Sequence, residues 1–172
     1  IEPTVSSIAA IRHREHQAES ASTARLLAPA SIAVIGASRE KGTIGHELFR
    51  NLLGYEFQGP VYPVNPATTS VAGVRAYASV LDVPDAVDLA VVVVPAAAVP
   101  AVVEQCAQKR VHGLVIISAG FAEVGSDGQA SERAIVATAR RNGMRIIGPN
   151  CLGVVNTAAG VRMNATFAPV EP

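Results

Sequence analysis

From Ser31 onward, short apolar runs alternate with amphipathic stretches, and that alternation sets the expected fold. Ile32-Ala33-Val34-Ile35 is apolar throughout and stops at Gly36, the pattern of a strand buried on both faces. A helix is expected from about Thr43 to Leu53, with Gly54 as its stop signal. Val61-Tyr62-Pro63-Val64 reads as a second strand, Val74 to Tyr77 as a brief edge segment, and Leu81-Asp82-Val83-Pro84 as a turn. Ala86 to Val94 holds the third main strand, with Val91–Val94 at its buried centre. A helix over about Val99 to Lys109 leads into a fourth strand, Leu114-Val115-Ile116-Ile117. A loop from Ser118 to Gly128 precedes a helix over Ala130 to Asn142, which Gly143 stops. Met144-Arg145-Ile146-Ile147 gives a fifth strand, closed by Gly148-Pro149-Asn150; Cys151 to Pro172 reads as loop-like with one short strand. Continuous apolar strands alternating with helices predict an α/β fold, a doubly wound parallel sheet of Rossmann-like type.

Residues 1–25 differ from this pattern. They are polar and helix-compatible, then rich in Ser, Thr and Ala, which predicts an interdomain linker or helical connector. Residues 26–172 are then a single domain, expected to be a fragment of a longer chain. His13 and His16 lie three apart on the connector and read as a solvated face.

Composition narrows the function classes. The 172 residues include 30 Ala and 24 Val but only four Phe, three Tyr and no Trp. Small and β-branched side chains suit close layers of helix and sheet, and an aromatic stacking surface for single-stranded nucleic acid lacks residues. Fourteen basic residues balance fourteen acidic ones, so nucleic acid and anionic membranes have no broad electrostatic footprint to meet. The longest uncharged stretch, Leu89 to Val103, falls short of the ~20 residues of a bilayer span. Two cysteines, Cys106 and Cys151, cannot build a disulfide framework and fit a cytoplasmic setting.

In a doubly wound sheet, ligands bind beyond the carboxyl ends of the strands, so those ends are where chemistry is expected. After the first strand comes Gly36-Ala37-Ser38-Arg39-Glu40-Lys41-Gly42-Thr43-Ile44-Gly45. Glycines and a serine ahead of a helix offer bare amides and a helix N-terminus to a phosphate. Gly36, Gly42, Gly45 and Ser38 make that cradle, although the spacing is not GxGxxG. The second strand ends in Val64-Asn65-Pro66, with no acidic residue before Asp82 to grip a free ribose diol as NAD binding requires. The third ends in Val94-Pro95, the fourth in Ser118-Ala119-Gly120-Phe121, the fifth in Gly148-Pro149-Asn150-Cys151-Leu152-Gly153. None supplies a His, Glu or Lys as a base, so these ends form a binding face and no catalytic residue is assigned. His46 is expected to be solvated or capping, His112 structural, Cys106 helix core and Cys151 a packed small residue.

Taken in order, Gly36-Ala37-Ser38, Val64-Asn65-Pro66, Val94-Pro95, Ser118-Ala119-Gly120-Phe121 and Gly148-Pro149-Asn150-Cys151 resemble the CoA-binding domain of NDP-forming acyl-CoA synthetases. That group includes ADP-forming acetyl-CoA synthetase and the α subunit of succinyl-CoA synthetase. The resemblance covers roughly Leu26 to Thr157. It implies CoA or acetyl-CoA as ligand, with phosphate on Gly36, Ala37 and Ser38. Val64, Asn65, Pro66, Val94 and Pro95 would frame the adenosine, and Ser118, Ala119, Gly120 and Asn150 the path to the thiol. It also implies that ATP or ADP and Mg belong to other domains of the parent chain, the expected partners; a homo-oligomer is compatible with it. The family often carries a Lys after the Pro of the second loop, where this chain has Ala67-Thr68. The missing charge would have to come from Arg39, Lys41 or Arg75, and weaker CoA binding or a shifted 3′-phosphate is expected. Two alternatives stand beside this reading: an acetyl-CoA-sensing domain fused to a GNAT-type protein acetyltransferase, and an NAD(P)-binding redox sensor.

Overall fold

The computed structural model describes residues 20 and 23–169; most of the expected connector, with His13 and His16, lies outside them. Five parallel strands form the central sheet: β1 (Ile32–Ile35), β2 (Val61–Val64), β5 (Leu89–Val92), β6 (Gly113–Ile116) and β7 (Arg145–Ile147), in the order β2-β1-β5-β6-β7. Every residue of β1, β5 and β6 is buried, as their unbroken apolar runs require. The side chains alternate between two cores. Ala33, Ile35, Ala90, Val92, Leu114 and Ile116 meet α2 (Val99–Lys109) and α3 (Ser126–Arg141) on one face. Ile32, Val34, Leu89, Val91 and Val115 meet α1 (Ile44–Gly54) on the other, through Leu48, Phe49 and Leu52. Leu26, from the helical turn over residues 23–27, is buried in that second core.

The edge segment expected at Val74 to Tyr77 takes two forms. Ser70–Val71 (β3) and Val74–Arg75 (β4) make a small antiparallel hairpin across Ala72 and Gly73, both with positive φ. Tyr77 then bridges to Val64 in parallel, its amide on the Pro63 carbonyl and its carbonyl taking the Asn65 amide. This one-residue pairing stands where a third Rossmann strand would lie. The strand order reverses between β1 and β5, which sets the switch point there.

Two expectations are corrected. α3 begins at Ser126, earlier than Ala130, because Asp127 in its first turn faces exposed helix amides that favour an acid. The tail is no loop: β8 (Gly153–Asn156) and β9 (Met163–Thr166) form an antiparallel hairpin, and all of β9 is buried against α1. Its polar members satisfy each other, Thr166 Oγ1 donating to Asn164 Oδ1 at 2.7 Å. Asn51 of α1 ties the hairpin down by donating to the Thr166 and Ala168 carbonyls, each at 2.9 Å.

Candidate functional site

The loop between β1 and α1 is pressed onto the switch point by contacts that only glycine permits. Gly36 has φ +98°, and a Cβ on it would lie 2.4 Å from the Val93 carbonyl oxygen at the end of β5. A Cβ on Gly45 would lie 2.0 Å from the Gly36 carbonyl oxygen, so the start of α1 sits directly on the end of β1. Thr43 caps the helix, accepting from the His46 amide through Oγ1 at 3.3 Å, and Glu47 accepts from the Gly42 amide at 3.0 Å. The amides of Ile44 and Gly45, in the first turn, have no acceptor within the helix.

Above this junction lies a cleft of about 550 Å³. Of the residues singled out from sequence, Gly36, Ser38, Val94, Pro95, Ser118, Ala119 and Asn150 line it together. Gly45, from the glycine loop, also lines it, as do Thr43, Ile44 and Leu152, which stand in the expected strand-end loops but were not singled out. Sequence reasoning missed Val93, Ala96, Ile117 and Phe167, and gave Cys151 only a packing role. Phe167 follows β9, and no signal in a tail read as loop pointed to it. No lining residue carries a charge. The walls are braced to one another: Ser118 Oγ donates to the Val94 carbonyl at 2.6 Å, and the Asn150 amide to the Ser118 carbonyl at 3.0 Å. The Cys151 thiol lies 3.4 Å from the Ile116 carbonyl, and burial pushes its pKa up, so it stays protonated and is a poor nucleophile. Cys106 is wholly buried in the α2 core, with its pKa pushed up to about 12.

The other candidates stand outside the cleft. Ala37 is fully buried, and Val64 is buried in the sheet with its carbonyl on the Gly36 amide. Lys41 and Pro66 are exposed, and Asn65 turns inward to the Ala37 carbonyl at 2.7 Å. Of the cations considered, Arg39 is exposed and Arg75 lies over the Tyr77 ring, 5.6 Å from its centroid. His46 is not solvated: it is 7% exposed, with Nδ1 3.1 Å from the Ser38 carbonyl. His112 pairs with Asp88 at 3.2 Å, whose other oxygen accepts from the Ala30 amide at 2.8 Å, bracing the base of the sheet. Among the described residues, no group of three or more His, Cys, Asp or Glu could hold a metal ion, and no helix is long and apolar enough to cross a membrane.

Gly120, expected on the path to the thiol, has its amide occupied. Glu123 accepts from it at 2.5 Å, and that hydrogen bond holds the Glu123 carboxyl below its ordinary range. A depressed carboxyl contributes its stabilisation above the ordinary value and loses it as pH falls through the folded one. The Gly120 amide resonance should therefore titrate with a midpoint below the ordinary glutamate value of about 4.3. A midpoint at or above that value would contradict the bond.

A sheet of this order, with an uncharged, amide-rich cleft over its switch point, defines a Rossmann-like cofactor-binding domain. The family described as CoA binding domain matches residues 30–157, and the chain belongs to it. It is 49% identical over 148 residues to acetate–CoA ligase [ADP-forming] I of Archaeoglobus fulgidus, covering 86% of this chain and 21% of that protein. The corresponding figures for 4-hydroxybutyrate–CoA ligase [ADP-forming] of Nitrosopumilus maritimus are 44% over 147 residues, 86% and 21%. Among solved structures, the dinucleotide-forming acetyl-coenzyme A synthetase 1 of Ca. Korarchaeum cryptofilum, in complex with phosphate and ADP, superposes with a TM-score of 0.79 at 44% identity. That match covers 85% of this chain and 31% of that one. The chain thus spans between a fifth and a third of the length of these relatives, and is homologous to the CoA-binding part of NDP-forming acyl-CoA synthetases. Neither the acetyltransferase-linked sensor nor the NAD(P) sensor gains support from these comparisons.

Proposed function

We propose that the cleft binds CoA or a short acyl-CoA, and that the chain is the CoA-binding part of an ADP-forming acyl-CoA synthetase. The observation that carries this reading is the cleft itself, where seven residues from four strand ends converge with no charged side chain among them. An anion there would be met by the backbone amides of Ser38 and Arg39 and by the start of α1, which need no basic residue. The pyrophosphate would lie on that loop, and Val94-Pro95 would supply a flat apolar wall for the adenosine. The pantetheine arm would run past Ser118 and Ala119 toward Asn150. Asn65 supports the site from behind in this reading, and the second-loop Lys is not replaced by Arg75, which is engaged with Tyr77.

The parent reaction would convert acid, CoA and ATP to acyl-CoA, ADP and phosphate. ATP and Mg would be handled by other domains or a second subunit, a division supported by the Pyrococcus furiosus relative, acetate–CoA ligase [ADP-forming] I subunit alpha. The role of this chain would be to hold CoA with its thiol free. The protonated, half-buried Cys151 suits that role, since a thiolate there would compete as nucleophile. Cys106 and Cys151 are both free thiols, which supports a cytoplasmic setting.

Calorimetric titration of the chain with CoA, acetyl-CoA and NAD tests the proposal. CoA and acetyl-CoA should bind at least about tenfold more tightly than NAD, a difference of roughly 1.4 kcal/mol. Binding of NAD without binding of CoA would overturn it.

A further inference from the structure

Two side chains outside the cleft fix the orientation of the phosphate loop, and the geometry points to His46 and Asn65 as positioning residues for the anion. The inference rests on the CoA reading above. Asn65 Nδ2 donates to the Ala37 carbonyl at 2.7 Å, and His46 Nδ1 lies 3.1 Å from the Ser38 carbonyl. A carbonyl only accepts, so Nδ1 of His46 carries the proton. Both loop peptides are trans, and in a trans peptide the C=O and the next N–H point in opposite directions. Drawing the Ala37 and Ser38 carbonyls back onto Asn65 and His46 therefore turns the Ser38 and Arg39 N–H groups the other way. Neither of those two amides has a hydrogen-bond partner among the described residues. Two such free amides on successive residues would together seat an anionic oxygen.

The two positioning side chains are themselves held. His46 is buried beneath the loop, and its own amide is taken by Thr43. Asn65 Oδ1 accepts from the Ala67 amide at 2.8 Å, which leaves its Nδ2 aimed at Ala37. The loop's other polar groups are committed elsewhere: Ser38 Oγ accepts from the Glu40 amide at 3.0 Å, and the Glu40 carbonyl accepts from Thr43 Oγ1 at 2.7 Å. The Ser38 and Arg39 peptides have their carbonyl partners turned back by side chains from outside the loop, whereas at Gly42 it is the amide itself that Glu47 takes. His46 and Asn65 thus act on the ligand through the backbone without touching it.

The test uses the ¹⁵N-labelled chain with CoA and inorganic pyrophosphate as probes. In the wild type, both probes should move the Ser38 and Arg39 amide resonances. His46→Leu and Asn65→Leu should each weaken CoA binding about tenfold, the first abolishing the Arg39 shift and the second the Ser38 shift. His46→Asn should restore affinity and the Arg39 shift to within about threefold, because its side-chain amide stands where Nδ1 stood. A purely structural role would lower the melting temperature of the leucine variants while leaving CoA affinity and the two shifts intact, and that result would overturn the inference. It would equally be overturned if wild-type chain bound CoA with Ser38 and Arg39 unmoved. Failure of the wild type to bind CoA at all would instead overturn the CoA reading. Should the leucine variants not fold, His46→Asn decides: shifts kept at Ser38 and Arg39 support the inference, and shifts lost with CoA still bound overturn it.

Discussion

Gly45→Ala is expected to lower the melting temperature by roughly 9 °C and to weaken CoA binding more than tenfold. The added Cβ would sit 2.0 Å from the Gly36 carbonyl oxygen and 3.3 Å from the Ala37 Cα. Both neighbours are backbone, so no side chain can swing away. Either α1 retreats from the end of β1 or the loop gives up its seat against Val93. Overpacking of this kind costs about 3 kcal/mol, and each kcal/mol moves a domain of this size by about 3 °C. Gly54, at the far end of the same helix, is the internal control, with no atom within 4 Å of its added Cβ. Gly54→Ala should leave CoA affinity unchanged and stability equal or higher by up to about 1 kcal/mol. Equal behaviour of the two variants, read by thermal melting and calorimetry, would remove the close approach from the account.

Truncation after Thr157 is expected to cost on the order of 5 kcal/mol and to lower the melting temperature by more than about 10 °C. The family match stops at residue 157, yet β9 lies beyond it with Met163 and Ala165 fully buried. Removing β9 would strip the cover from α1 and leave the side-chain amide of Asn51 without the two carbonyls it now serves. It would also take Phe167 from the wall of the cleft, so CoA affinity should fall with stability. Thermal melting of residues 1–157 beside residues 1–172 measures this. Melting temperatures within about 3 °C of each other would show that the hairpin is no part of the core.

The contrast between these two regions shows what the sequence made legible. β1, β5 and β6 are buried on both faces, so their sequences are unbroken apolar runs. The ends of β1 and β6 fall within a residue of expectation, while β5 is shorter than Ala86 to Val94 and its buried part is Leu89–Val92. β9 is equally buried but reads Met-Asn-Ala-Thr, because Asn164 and Thr166 satisfy one another inside the fold. A polar pair that hydrogen-bonds across two positions looks the same in sequence as a loop. The start of α3 was hidden in a similar way, since Ser126-Asp127-Gly128 is made of turn-forming residues.

The candidate site divides along the same line. Residues whose backbone or small side chain meets the cleft, such as Gly36, Ser38, Pro95 and Asn150, follow from their place at strand ends. Those whose role depends on where a side chain turns do not. Asn65 stands at a strand end like the others, but its amide faces the Ala37 carbonyl. His46 lies one residue beyond Gly45 in a polar helix start, yet the helix rotation carries it under the loop. Gly120 offers an amide in sequence that Glu123, three residues on, already occupies.

The neutral balance of charge also takes a sharper meaning. It argues against a broad anionic partner, while a narrow cleft can still hold phosphates through amides and the start of a helix. The measurement that bears most directly on this is a map of amide resonance shifts on adding CoA to the ¹⁵N-labelled chain. The shifts are expected to gather on residues 36–45, 93–96, 117–119 and 150–152. Shifts gathered instead on the polar groove at Arg50, Asn51 and Tyr55, or on the apolar groove between α2 and α3 at Val103 and Ile135, would contradict it.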